Sequence, residues 1–179
     1  KQTDADSLLN SAIDSGLNLI DTAAGYLESG KMIGAAVSYR RKDLVLMSKC
    51  GALDGFERED WTMQGTLDSI TQSLRNLKTD YLDVCQLHSC SIEVMKRGDC
   101  IEGLLRAVER GYIRYCGYSG DNEEAEYAID LGVFDTLQIS VSIADQSAID
   151  GNIKRAKERG IGVIAKRPIA NAVWRHETL

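Results

Sequence analysis

No stretch of this 179-residue chain approaches the ~18 uninterrupted apolar residues a membrane-crossing helix needs, and the polar N-terminus lacks a signal-peptide core. A cytoplasmic protein with no membrane partner is expected. Basic residues cluster nowhere beyond Tyr39-Arg40-Arg41-Lys42, and the formal charge is -6, so phosphate-backbone binding has no support and no nucleic-acid partner is expected. There is no C-x-x-C, and the odd set Cys50, Cys85, Cys90, Cys100 and Cys116 lies within or beside apolar runs, which suits reduced thiols better than a disulfide framework. Cys85, His88 and Cys90 are close in sequence, but Cys85 and His88 have opposite strand parity and no second ligand pair follows, so no metal site is expected. Neither a G-x-G-x-x-G nor a Walker-type loop occurs. Repeats, low-complexity tracts and linkers are also missing, which leaves a single domain over 1–179.

What the chain does contain is helix and strand signals in alternation. An amphipathic stretch from Asp4 to Ser15 ends at Gly16, and the strand-like Leu17-Asn18-Leu19-Ile20 follows. Helices are predicted at Glu28 to Ser38, Thr66 to Leu77, Ile101 to Arg110, Asn122 to Leu131 and Gln146 to Arg159. Strands are predicted at Leu44 to Met47, Tyr81 to Leu87, Ile113 to Gly117, Thr136 to Ser140 and Gly162 to Ala165, before the break at Arg167-Pro168. This rhythm predicts right-handed βαβ units and a parallel sheet, an α/β barrel of TIM type that is incomplete, with about six strands. Two open strand edges would then favour a homo-oligomer.

In such a barrel the loops after the strands converge on one face, and chemically capable residues occupy those positions here. Asp21 continues the inward parity of Leu17 and Leu19, and Lys49 that of Val45 and Met47, so an ion pair inside the mouth is expected. Tyr26, five residues past Asp21, could bring its phenol to the ammonium, which would make it more acidic and fit it to protonate a carbonyl oxygen as hydride arrives at carbon. His88, ending its strand, could orient that oxygen. Any one of these has an ordinary structural explanation; their shared placement is what points to a site.

The segment Leu17-Asn18-Leu19-Ile20-Asp21-Thr22-Ala23-Ala24-Gly25-Tyr26 resembles the aldo-keto reductase signature. Ser48-Lys49-Cys50-Gly51 is similar to that family's third-strand lysine segment, and Tyr81-Leu82-Asp83-Val84-Cys85-Gln86-Leu87-His88 to its fourth-strand histidine motif. The resemblance implies a catalytic tetrad of Tyr26 as general acid, Lys49 and Asp21 tuning it, and His88 positioning the carbonyl. It implies reduction of an aldehyde or ketone with NADPH, with NADH not excluded, the partner being a small carbonyl substrate.

For the cofactor, the resemblance implies Ser119 and Gln138 as holders of the nicotinamide carboxamide, with Asn122 standing near the place of a further family asparagine that is Gly120 here. Lys166 stands where many members stack a tyrosine on the nicotinamide ring, and a cation there would disfavour the oxidised ring. Leu27 and Gly30 also depart from the usual glycine and glutamate beside the tyrosine. Measured against the family, the first strand and the eighth strand with its helix are missing, the latter being the region that grips the adenosine 2′-phosphate. The alternative reading is a catalytically silent barrel fragment that binds partners or itself through its open edges.

Overall fold

Strand alternation gives a parallel sheet one face that helices must cover, and the sequence supplies it with Ile20, Leu46, Cys85, Leu87, Tyr118, Leu137 and Ile139, all buried in the main core. The computed structural model describes residues 1–175. Its elements are α1 (Gln2–Asp14), β1 (Leu19–Asp21), α2 (Ser29–Val37), β2 (Val45–Cys50), a hairpin of β3 (Ala52–Leu53) and β4 (Arg58–Glu59), α3 (Met63–Leu77), β5 (Leu82–His88), α4 (Ile92–Arg97), α5 (Asp99–Glu109), β6 (Ile113–Ser119), α6 (Asn122–Leu131), β7 (Thr136–Ser140), α7 (Lys154–Glu158) and β8 (Gly162–Lys166). Strands β1, β2, β5, β6, β7 and β8 form one parallel sheet in that order, each crossover stepping to the adjacent strand. The result is the expected α/β half-barrel. No helix among the described residues is long and apolar enough to cross a membrane.

The longest helix shows how local chemistry and packing agree. Thr62 caps α3 by accepting from the Gly65 amide at 3.0 Å, Leu67, Ile70, Leu74 and Leu77 make its buried stripe, and Lys78 ends it in a left-handed conformation. Helix α5 approaches it closely at Gly103, where a Cβ would lie 2.7 Å from the Thr66 Cβ. Helix α4, which the sequence periodicity does not announce, is capped by Ser91 and stopped by Gly98.

One predicted helix differs. In place of Gln146 to Arg159, the chain makes a tight loop, a π-helical turn at Ile149–Ile153 and only then α7. Ser142 Oγ accepts from the amides of Ala144 and Asp145, and Asp145 accepts from the amide and hydroxyl of Ser147. These side chains offer the backbone local partners that compete with a helical ladder.

Beneath the sheet, at the end remote from the strand C-termini, Asp83 anchors the bottom of β2, β5 and β6. It accepts from Arg41 at 2.7 Å, from Arg114 at 3.1 Å and from the Leu46 amide at 2.8 Å, while the Tyr81 ring lies 4.0 and 4.2 Å from the two guanidinium carbons. Arg41 and Asp83 are both largely withdrawn from solvent. Removing one partner of such a pair strands the other charge, so Asp83→Ala should lower unfolding stability by about 3 kcal/mol in urea titration. A loss below about 1 kcal/mol would show that the network carries little of the fold.

Candidate active site

The C-terminal ends of the six strands present Asp21, Lys49, His88, Ser119, Gln138 and Lys166 on the same, concave side of the sheet. Registry fixes them: His88 lies beside Ser119, Ser119 beside Gln138, and Ser140 beside Lys166. Lys49, 2% exposed, donates to both Asp21 oxygens at 2.7 Å and to the Thr22 carbonyl at 3.0 Å. Gln138 Nε2 donates to Asp21 Oδ2 at 2.8 Å and Gln138 Oε1 accepts from Ser119 Oγ at 2.9 Å. Lys49, Asp21, Gln138 and Ser119 therefore form one unbroken polar chain across the floor of the mouth.

Two rings stand above this floor. The Tyr26 ring centroid is 5.3 Å from Lys49 Nζ and 5.5 Å from the His88 ring, edge to face. Phe56 completes a triangle, 5.0 Å from His88 and 5.9 Å from Tyr26. The His88 imidazole is pushed down to about 4, first by burial and then by the charges of Lys49 and Lys166. Its Nδ1 is buried without a partner, as is Gln86 Oε1 below it.

One expectation needs correction. The Tyr26 phenol is held above its ordinary value, chiefly by burial and then by the Asp21 carboxylate, rather than made more acidic by Lys49. The physical reason is that Lys49 directs its charge into Asp21, so the phenol meets a neutralised pair and a partly dry environment.

The third cluster lies at the β8 edge. Lys166 Nζ is 3.2 Å from Asp121 Oδ2, which also takes Arg167 at 3.3 Å, and Asp121 accepts from the Ser140 amide at 2.7 Å and the Ser140 hydroxyl at 3.0 Å. Burial and these hydrogen bonds and cations act on Asp121 in opposite senses, and its pKa comes out lowered. Asn122 does not join the floor: its carbonyl accepts from Asn152, and it lines a separate recess with Asp121, Glu126, Asp145 and Asn152.

Phe56 and Asp121 are the site members that the sequence reading passed over. The dipeptide Asp54-Gly55 inside the hairpin was an available turn signal for Phe56, and Asp121, immediately before α6, holds the N-cap position. For a nicotinamide, the donor set fits: Ser119 Oγ keeps free lone pairs, Gln138 Nε2 keeps a second N–H, and the two together can satisfy a carboxamide. Arg167, half exposed, stands at the β8 edge with its guanidinium on Asp121 and the Ser140 hydroxyl.

Comparison with known proteins bears on this arrangement. The Aldo/keto reductase family matches residues 1–178. The uncharacterised oxidoreductase YqkF of Bacillus subtilis is 31% identical over 97% of this chain and 58% of its own length, and the L-galactose dehydrogenase of Arabidopsis thaliana is 26% identical over 94% of this chain and 56% of its own. The chain thus spans little more than half the length of these curated relatives. Among solved structures, the aldo-keto reductase of Klebsiella pneumoniae in complex with NADPH superposes with a TM-score of 0.81 at 26% identity, covering 99% of this chain and 62% of that one. The holo form of aldo-keto reductase AKR11C1 from Bacillus halodurans gives 0.87 at 26% identity, covering 96% and 59%. With a half-barrel of the right topology and a family match over nearly its whole length, the chain belongs to the aldo-keto reductase family.

Proposed function

We propose that this chain, read as a single cytoplasmic domain over 1–179, carries the catalytic tetrad of an NADPH-dependent reductase of small aldehydes or ketones, with Tyr26 as the general acid. The observation that carries this reading is the saturation of Lys49. Its three N–H donors go to Asp21 Oδ1, Asp21 Oδ2 and Thr22 O, so it has no proton to offer a substrate. His88, with a pKa of about 4, is neutral at physiological pH and cannot act as an imidazolium acid. Within the tetrad the proton that remains is that of Tyr26, a residue 39% exposed, and a raised pKa keeps it on the oxygen until an alkoxide develops.

Each other group then has a task. A reduced nicotinamide supplies hydride chemistry when bound. Ser119 and Gln138 hold its carboxamide, and Gln138 in turn is oriented by Asp21. His88, lacking any acceptor at Nδ1, carries its proton on Nε2 and orients the carbonyl oxygen toward Tyr26. Phe56, 54% exposed over both rings, forms an apolar wall for the substrate and narrows the path of water to the reacting oxygen. NADPH rather than NADH is supported by the Klebsiella pneumoniae relative, whose structure holds NADPH.

A second proposal rests on the outer strands. Strands β1 and β8 end the sheet, and Leu19, Val45 and Tyr115 on the concave face are 39, 38 and 54% exposed. Open parallel edges and uncovered apolar side chains favour pairing of two copies.

Three outcomes follow. Tyr26→Phe should reduce turnover of a simple aldehyde by at least about 1000-fold while leaving NADPH affinity within about twofold; undiminished turnover would remove Tyr26 from the chemistry. Because the His88 pKa lies below the unfolded value near 6.5, the unfolded state binds more protons between pH 6.5 and 4, so stability falls on acidification through that window. His88→Asn should flatten the fall by about 2 kcal/mol, allowing for partial exposure, when denaturant midpoints are followed against pH; an unchanged slope would contradict a neutral buried imidazole. Light scattering should return more than one monomer mass, and a monodisperse monomer would refute edge pairing.

A further inference from the structure

We infer that Lys166 makes this site discriminate between the two redox forms of its nicotinamide cofactor, favouring the reduced form. The inference rests on the placement of the carboxamide at Ser119 and Gln138 proposed above. A ring held by that placement would face the concave side of β7 and β8, where Lys166 is the inward residue at the end of β8, beside Ser140 and one strand from Gln138. Its side chain is only 16% exposed, so its charge acts through protein rather than through water.

The charge count around the mouth does not close. Lys49, Lys166 and Arg167 supply three cations, while Asp21 and Asp121 supply two carboxylates. Asp21 is committed to Lys49, and Asp121 is divided between Lys166 and Arg167. Counting only the groups in these ion pairs, one positive charge is left over on the β8 side, with Asp145 and Glu126 set behind Asp121 in the adjoining recess. It is felt across the mouth, because Lys166 is among the charges that depress the His88 imidazole and is itself depressed by Arg167 and Lys49 after burial. Asp121 works in the opposite direction, favouring the protonated ammonium.

A nicotinamide ring is neutral when reduced and carries a positive charge when oxidised. A stacked aromatic would meet the cation with its negative face, whereas Lys166 meets it with a like charge. The phosphates and adenosine are the same in both forms, so their contribution cancels in a ratio of affinities, and the ring charge remains. One consequence is faster release of the oxidised form after each turnover.

The test is a fluorescence titration of the purified chain with NADPH, and with NADP+ as a competitor, giving the ratio of the two dissociation constants. Lys166→Met should reduce the preference for NADPH by about tenfold, Lys166→Arg should retain it, and Asp121→Asn, which leaves more charge uncompensated, should strengthen it. Should Lys166→Met fail to fold, Lys166→Gln and Asp121→Asn still decide the matter, since they predict shifts of opposite sign. Both forms binding with a ratio that these variants leave unchanged overturns the inference alone. Failure of the unaltered chain to bind either form overturns the cofactor reading beneath it as well.

Discussion

The Asp21 carboxylate ties the fold to the site. It accepts from Lys49 on β2 at both oxygens and from Gln138 on β7, and three strands lie between β1 and β7 in the sheet order. In a flat sheet those strands would sit ~19 Å apart at the usual spacing. An aspartate and a glutamine together reach roughly 8–9 Å. A contact of 2.8 Å between them is therefore possible only because the sheet is curled, and the same curl brings the ends of the strands into one mouth. Burying the Lys49 ammonium to 2% exposure is costly unless it is paired, so the ion pair is held in place by the energetic penalty of breaking it.

This dependence explains why so much of the arrangement could be read from the residues. Strand parity is local, and it put Asp21 and Lys49 on one face, while His88 was placed by its position at a strand end; Asn122–Leu131 and Thr136–Ser140 fall where the periodicity places them. The half-barrel followed from counting helices between strands. Properties that depend on the balance of several distant groups were not legible. The direction of the Tyr26 shift needed the relative weights of burial, Asp21 and Arg167, which no spacing reports. Phe56 escaped because its hairpin strands are two residues long and β4 is exposed, leaving no apolar alternation to read. The broken helix after Ile143 was hidden by serine and aspartate side chains that are compatible with helix or turn until their partners are known.

The motif at Asn122 shows where likeness of sequence stops. An asparagine two places from its expected position falls past Asp121, at the first turn of α6, and the carbonyl that Asn152 binds belongs to the helix side of the loop. The position next to Ser119 is instead Gly120, where an added Cβ would press on the Tyr118 ring at 2.5 Å. Tyr118 is buried and donates to the Cys90 carbonyl at 2.9 Å, so the space an asparagine would need there is already taken by the support of the loop that follows His88. The loss of one family residue and the seating of that loop are thus one packing decision.

Strand β7 is the pivot of the charged groups. Two of its residues, Gln138 and Ser140, share the concave face by alternation, and each serves a different aspartate: Gln138 donates to Asp21, and Ser140 donates its amide and hydroxyl to Asp121. Each aspartate in turn pairs with one lysine, the buried Lys49 on one side and the partly buried Lys166 on the other. These two β7 residues are spaced by the 2-residue repeat of a single strand, about 7 Å along its axis. Tying both pairs to one strand sets much of the electrostatics of the mouth before any ligand arrives, and reorganisation during reaction is correspondingly small. The Asp21–Lys49 pair is set by the register of the sheet, whereas the Asp121–Lys166 pair depends also on the turn that leads from β6 into α6.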